Sequence, residues 1–363
     1  MSTTQVPTTM KALVQHETEK RAQVKDHPVP KLDKNEVLVK IAYVAQNPTD
    51  WKHSAFLSPP NVIIGCDYSG TIVQLGDELK NKDWNVGDHV AGVVHGGKFE
   101  DKGSFAEYAR VQSDLLWKVP SSGPVGLREA PVYGVGFVTA AQVLYTRLNL
   151  PYPPQKADRS NWILIYGGST SVGVFATQLG KLAGYKVITT ASPKNFELVK
   201  SYGADEVVDY HNADQAIEEI KKITGGSLTK ALDTISEGDS FRIALESFST
   251  SGDRKLNTLL QISEEGKKLA EQKGIETELT LAYTLMGNAF EFIPGSTIPA
   301  IPSDREFYVK LCKDTPDFIQ KYNIRPNPIK DMDGGLEHIL EGFEFMKAGK
   351  VSASKLVYKI SNA

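Results

Sequence analysis

The chain predicts an α/β fold in which a doubly wound parallel sheet is joined to a partly open β-barrel of N-terminal strands. Three observations carry this expectation. Residues 10–120 break into short apolar runs punctuated by glycine and proline, as in an all-β unit. From Trp162 onward, strand-like and helix-like segments alternate, as in a parallel sheet with helices on both faces. The 363 residues, 40% hydrophobic and 23% charged, supply enough apolar side chains for two cores.

In the first part the strand candidates are MKALVQ, EVLVKIAYVAQ, YSGTIVQLG, DHVAGVV, FAEYARV and LLWKVP, with turns at NPTD, LSPP, VGD and GGKFEDKG. Around Arg128 the pattern becomes helix-compatible, LREAPVYGVGFVTAAQVLYTRL, and a polar, proline-rich connector, PYPPQKADRSN, follows. Strand WILIYG then leads to a helix near SVGVFATQLGKLAG, strand KVITTA, helix NFELVKSYG, strand EVVDY, helix ADQAIEEIKKITG, strand KALDTIS and helix DSFRIALESFS. After Pro302 come FYVKLCKDTPDFIQKY, GGLEHILEGFEFMKAG and a last strand, KLVYKI. Such a tail cannot make a core alone, so it is expected to pack back on the N-terminal strands. The domains are therefore drawn as 1–135 with 323–363, and 136–322.

Charge excludes some partners. The formal net charge of -3, with both signs interspersed, gives no electrostatic case for nucleic acid or a membrane surface. The opening MSTTQVPTTMKALVQ has no basic patch followed by an apolar stretch, and no apolar run approaches the roughly 18 residues of a membrane span, so a cytoplasmic protein is expected. Two cysteines, Cys66 and Cys312, cannot build a disulfide framework or a four-thiolate zinc site, and read as buried small hydrophobes.

The chemistry-bearing segment is WILIYGGSTSVG. Val172, Phe175, Ala176, Leu179 and Ala183 form one apolar helix face, so the loop Gly168, Ser169, Thr170, Ser171, Val172, Gly173 lies between a buried strand and a helix N-terminus. Free N–H groups and the positive end of the helix dipole suit a dinucleotide pyrophosphate there, in the Rossmann pattern GxGxxG with Thr170 in place of the middle glycine. The competing elbow GxSxG, presenting a nucleophilic serine, fails at Ser171, and its triad would need His211 or His338. Glycines serving only tight packing are the third reading.

The end of KVITTA bears on the cofactor. An NAD-binding fold carries a carboxylate there for the ribose hydroxyls, whereas this chain has Thr190-Ala191-Ser192-Pro193-Lys194-Asn195. The Ser192 hydroxyl and the Lys194 ammonium suit a 2′-phosphate, which favours NADPH; Lys194 as a solvated helix-start lysine is the alternative. Tyr210, ending the third strand, and Ser236, ending KALDTIS, complete the candidate cofactor set.

The segments GCDYSGTIVQLG (65–76), WNVGDHVAG (84–92), GSFAEYARV (103–111), YGGSTSVG (166–173) and YGADEVVDY (202–210) together resemble the medium-chain dehydrogenase/reductase superfamily. The resemblance spans almost the whole chain and implies a GroES-like N-terminal domain and a Rossmann domain. Zinc-dependent members place ligands where this chain has Asn47, Cys66-Asp67 and Val135, and Asn47 and Val135 cannot complete a three-donor site, which implies the zinc-free, quinone oxidoreductase-like branch. NPTDWK, YGGST and FIPGSTIPA are similar to fungal trans-acting enoyl reductases and related yeast aldehyde reductases. The resemblance implies hydride transfer from NADPH to a small-molecule carbonyl, enal or quinone. It also implies either a monomer, as in some fungal relatives, or a homodimer joined through cofactor-domain strands, which TELTLAYTLMG could supply. It assigns Lys52 to the nicotinamide ribose or a proton, Thr139 to the nicotinamide, and Asn47 to the reacting region. Against these stand a surface lysine, a helix threonine bonding its own backbone and a turn asparagine. His95 is either substrate-facing or a surface loop residue. A non-catalytic NADPH-binding sensor or accessory protein is the alternative function.

Overall fold

The computed structural model describes residues 6–79, 83–158 and 160–361; the first five residues of the N-terminal run and Arg159 of the connector lie outside the described residues. Strands β1 (Thr9–Gln15) and β2 (Ala22–Pro28) form an antiparallel ribbon, which bridges onward at Ala12–Ala106 and Val14–Ile63. Next come β3 (Glu36–Ala45), helix α1 (Pro48–Lys52), β4 (Asp67–Leu75), β5 (His89–Val93), β6 (Tyr108–Gln112), β7 (Leu116–Lys118) and helix α2 (Val135–Gln142).

The alternating half follows. It consists of β8 (Trp162–Tyr166), α3 (Ser171–Leu182), β9 (Lys186–Ala191), α4 (Phe196–Ser201), β10 (Glu206–Asp209), α5 (Ala213–Thr224), β11 (Lys230–Asp233), α6 (Ser240–Ser247), β12 (Lys255–Thr258), α7 (Glu264–Lys273) and β13 (Glu276–Leu279). A hairpin, β14 (Phe290–Ile293) with β15 (Ser296–Ile298), precedes α8 (Pro302–Gln320), β16 (Ile329–Met332), α9 (Ile339–Lys347) and β17 (Lys355–Lys359).

By contacts the chain divides into two units. One comprises 1–135, 283–323 and 327–363; the other comprises 136–282 and 324–326. The sequence pattern alone leaves 283–322 with the cofactor half. The segment goes elsewhere because its apolar side chains do: α8 buries Tyr308, Leu311, Cys312, Phe318 and Ile319, and packs on β7.

In the first unit one sheet runs β16-β17-β3-β4-β5-β7, with β6 also on β3, and it does not close into a barrel. β3 is the central strand, flanked by β4 along its length, by β6 over residues 36–40 and by β17 over residues 43–45. Register shifts at Leu38/Val39 and Ile41/Tyr43 bend the β3–β4 pair, and Gly70 permits the close approach, since a Cβ there would fall 2.1 Å from the Lys40 carbonyl oxygen. The core beneath joins Leu13, Val39, Ile41, Ile72, Val90 and Phe105 to Ile339, Phe343, Leu356 and Tyr358 of the tail. The tail thus packs on the N-terminal strands as its pattern predicts, with β16 as a second tail strand that its polar sequence, IKDM, conceals.

In the second unit six parallel strands run β10-β9-β8-β11-β12-β13. Their inner members are nearly continuous apolar runs, because helices cover both faces. α5 shows the local logic: the Asn212 side chain accepts from the Gln215 N–H at its start, and Gly225, at φ 61°, ends it in the left-handed region. Of TELTLAYTLMG only the first three residues, the end of β13 at the sheet edge, are strand, and Ala282–Met286 is a 3-10 turn. No described helix is long and apolar enough to cross a membrane.

Leu356 is fully buried on β17 and ties the tail into the first core. Leu356→Ala is expected to destabilise the protein by about 2–5 kcal/mol in denaturant unfolding. A loss under about 1 kcal/mol would show that the tail is not integral to that core.

Candidate active site

The glycine loop sits where the strand order reverses, between β8 and β11. Gly167, at φ 84°, turns the chain out of β8, and its N–H donates to Thr190 Oγ1 at 2.9 Å. A Cβ on Gly173 would come within 2.1 Å of the Gly167 carbonyl oxygen, and one on Gly168 within 2.2 Å of Thr189 Oγ1, so both glycines are sterically required. Thr170, in the middle-glycine position, has its own task. Its Oγ1 accepts from the Gly173 N–H at 2.9 Å, capping α3, and lies 2.9 Å from Thr234 Oγ1, which donates to the Tyr166 carbonyl at 2.8 Å. Helix geometry leaves the first-turn N–H groups of Ser171 and Val172 without intrahelical acceptors, and they face the loop end with the helix dipole behind them. This is an anion cradle. The elbow reading loses its partners: His211 pairs with Asp209 at the end of β10, and His338 lies beside Glu341 at 3.4 Å in the tail.

Around the cradle the other cofactor candidates separate into two groups. Ser192 Oγ and Tyr210 OH stand 3.1 Å apart at the ends of β9 and β10, with exposed Lys194 two residues on. Thr139 is buried on α2, whose Gly136 abuts Ser171 and whose Phe137 packs edge-on against Phe175 at 5.4 Å, so its helix starts at the loop. Ser236 is differently employed. At φ 58°, its hydroxyl donates to the Asp233 carbonyl at 3.1 Å and accepts from the Leu259 N–H at 3.0 Å, so the group is engaged inside its own turn.

In the first unit the segment NPTDWK forms α1. The Asn47 N–H donates to Asp50 Oδ2 at 2.7 Å, which starts the helix, and half-buried Lys52 ends it, 5.7 Å from the Trp51 ring. Asn47 itself is buried. Its Nδ2 donates to Asp67 Oδ2 at 2.8 Å, and its Oδ1 accepts from the Lys355 ammonium. Lys355 Nζ lies 3.1 Å from Asp67 Oδ2, and the Val135 N–H donates to Asp67 Oδ1 at 2.7 Å. Gly134 must be glycine here, because a Cβ would fall 2.1 Å from Asp67 Oδ1.

Beside this cluster the Tyr283 hydroxyl is 2.6 Å from Thr49 Oγ1 and 3.6 Å from Cys66 Sγ, and its ring stacks on His95 at 3.8 Å. His95 is therefore a buried residue rather than a surface loop residue, with Phe290 edge-on at 4.9 Å. Burial lowers the His53 pKa to about 4 and that of His95 well below the ordinary value, so both rings are neutral at pH 7. Burial likewise pushes the Cys66 thiol well up. Burial, followed by the repulsion of Asp67, raises Asp50 to about 7.

Residues 33–121 match the alcohol dehydrogenase GroES-like domain family, and residues 171–295 the zinc-binding dehydrogenase family. The trans-enoyl reductase TOXD of Cochliobolus carbonum is 41% identical over 285 residues, covering 78% of this chain and 92% of the relative. The trans-enoyl reductase ACTTS2 of Alternaria alternata is 36% identical over 359 residues, 97% of this chain and 99% of the relative. The chain belongs to the trans-enoyl reductase family. This member shares its fold with a mycobacterial protein solved in complex with NADPH, at a TM-score of 0.75 and 19% identity over 96% of this chain and 99% of that one. The medium-chain dehydrogenase/reductase resemblance read from its motifs thus holds along the chain.

Zinc, carried in the name of one matching family, does not fit these residues. Both cysteines lie outside 171–295. Asn47 and Val135 offer the cluster a carboxamide and a backbone N–H, and an ammonium occupies its centre. Among the described residues no group of three or more His, Cys, Asp or Glu is placed to hold a metal ion.

Sequence reasoning missed that Asp50, Asp67, Tyr283 and Lys355 gather around Asn47 and Thr49. The available signals were weak: a carboxylate opening an apolar strand at Asp67, and a lysine opening one at Lys355.

Asp50→Asn keeps an acceptor for the Asn47 N–H but cannot take up a proton. Between the unfolded value of 3.8 and the native value of about 7, native Asp50 binds more protons than unfolded Asp50, so its contribution to stability falls as pH rises. His53, lowered from 6.5 to about 4, acts in the opposite sense across much of that window, its contribution being lost as pH falls. Asp50→Asn should gain stability on the wild type from about pH 4 to about pH 7, by about 1 kcal/mol or more at the upper end. Parallel pH–stability curves for the two proteins would contradict a titrating buried Asp50.

Proposed function

We propose that the protein is an NADPH-dependent reductase, active without zinc, of carbon–carbon double bonds conjugated to a carbonyl, with quinones and aldehydes as further acceptors. The observation that carries the reading is an intact anion cradle at the switch point of the sheet, in a chain that aligns end to end with trans-enoyl reductases. Bound NADPH supplies a hydride. The N–H groups of Ser171 and Val172 hold its pyrophosphate, and Ser192 and Lys194 hold its 2′-phosphate, where a carboxylate would repel it. Tyr210 borders the adenine side, beside Ser192. Ser236 serves the site through the backbone it braces.

The acceptor's carbonyl oxygen gains negative charge as the β-carbon is reduced, and a proton must reach the α-carbon. Lys52 provides the positive charge and the donors for this region, held by α1. Thr139 positions the nicotinamide from the helix that starts at the loop, and Asn47 orders the region around Lys52. The protein works in the cytoplasm as a monomer, or as a homodimer joined through the edge strand β13.

Purified protein is expected to oxidise NADPH faster than NADH with enoyl thioesters, enals or quinones. Lys194→Ala should weaken NADPH binding by about ten- to 150-fold, the equivalent of roughly 1.5–3 kcal/mol, and leave NADH nearly unchanged. Equal losses for both cofactors would remove Lys194 from the phosphate site. Lys52→Met should bind NADPH within a few fold of wild type and reduce acceptor about 10²-fold more slowly. No turnover by the wild type on any acceptor, with NADPH still bound, would favour a sensor instead.

A further inference from the structure

Asn47 and Val135, which stand where zinc-dependent relatives carry ligands, converge in this chain on one carboxylate. Asp67 is fully buried, and each of its oxygens is engaged: Oδ1 by the Val135 N–H, Oδ2 by the Asn47 carboxamide and the Lys355 ammonium. Two neutral donors cannot balance a buried charge, and Lys355, 2% exposed, supplies the counter-charge. The same ammonium also donates to Asn47 Oδ1. A carboxamide presents two ends of nearly equal size and opposite polarity. Here the cation takes the oxygen and the anion takes the amine, so only one orientation satisfies both. Asn47 opens α1, and Lys52 closes it.

We infer that Lys355 is a positioning residue: its ammonium supplies, on a strand of the tail, the positive charge that a metal ion supplies in zinc-dependent relatives, and through Asn47 it holds the helix that carries Lys52. The inference rests on the reductase reading for its catalytic consequence but not for its structural one. It gives the returning tail a role in the site, since β17 delivers the cation to a cluster built from the turn after β3, the start of β4 and the start of α2. It also accounts for Gly134, the residue that leaves room for Asp67 to be reached from both sides.

Lys355→Met alone strands a buried carboxylate and is expected to fold poorly, so the decisive protein is Lys355→Met/Asp67→Asn, in which both charges are removed. Asn at position 67 offers one acceptor oxygen where Asp67 offers two, to Asn47 Nδ2 and to the Val135 N–H, so Asp67→Asn alone, which keeps the ammonium, is measured beside the double variant, and the difference between the two at Asn47 reports the loss of the ammonium. The double variant is expected to regain most of the melting temperature lost by the single one and to bind NADPH within about threefold of wild type. Its kcat should stay at least about tenfold below wild type, the scale of a misplaced catalytic group. In isotope-labelled protein, the Asn47 side-chain NH2, slow to exchange with solvent in the wild type, should exchange at least about tenfold faster in the double variant. Recovery of kcat together with the melting temperature would overturn the inference by reducing the pair to a structural one. Unchanged Asn47 exchange would overturn it as well. If the wild type turns over no acceptor, the reductase reading fails, and the exchange measurement alone then decides between a locked and a free Asn47.

Discussion

The buried contact between Lys355 and Asp67 is the interaction on which the first unit's site depends. A carboxylate with no solvent exposure persists as an anion only beside a full opposite charge and enough donors for both oxygens, and each partner here comes from a distant part of the chain. The β3–β4 bulges, the return of β17 to β3 and the absence of a side chain at Gly134 are the conditions for that meeting. Burial sets the protonation of the surroundings: it drives Asp50 toward its protonated form, with Asp67 adding to the shift and Lys355 opposing it, and it keeps the two histidines neutral, while Lys52 stands at the end of a short helix whose N-cap, Asn47, is held from two sides.

The second unit solves a different problem with local means. Reversal of strand order opens a gap between β8 and β11, and the loop after β8 fills it with backbone rather than side chains. Thr170 shows how a departure from the glycine pattern is absorbed: its hydroxyl replaces flexibility with a helix cap and a link to Thr234. A serine and a lysine follow β9, with no carboxylate between them.

Much of this was legible in the sequence, and the limits follow from the range of the interactions. The loop, α3 and β9 were readable because their signals lie within thirty consecutive residues, and the parallel sheet followed from alternation alone. The tail's return followed from its inability to bury its own apolar face. Asn47 and Lys355, by contrast, are 308 residues apart, and nothing near either one signals the other. His95 reads as a loop residue in VVHGG, and only the ring of Tyr283, stacked at 3.8 Å, makes it part of a core. Ser236 reads as a strand-end hydroxyl free for a ligand, whereas its left-handed backbone turns that hydroxyl onto its own turn. Position along the chain puts the run at 283–322 with the cofactor half, while its packing follows the apolar face of α8.

If a protein ammonium stands where zinc-dependent relatives hold a metal, reduction proceeds here without zinc. Its most direct measurement is stopped-flow NADPH oxidation with an enoyl thioester, run on the same sample whose metal content is determined by elemental analysis. One NADPH is expected to be oxidised per double bond reduced, at an unchanged rate before and after exhaustive chelation and with zinc far below one ion per chain. A rate that tracks bound zinc, vanishing on chelation and returning when zinc is added back, would contradict it.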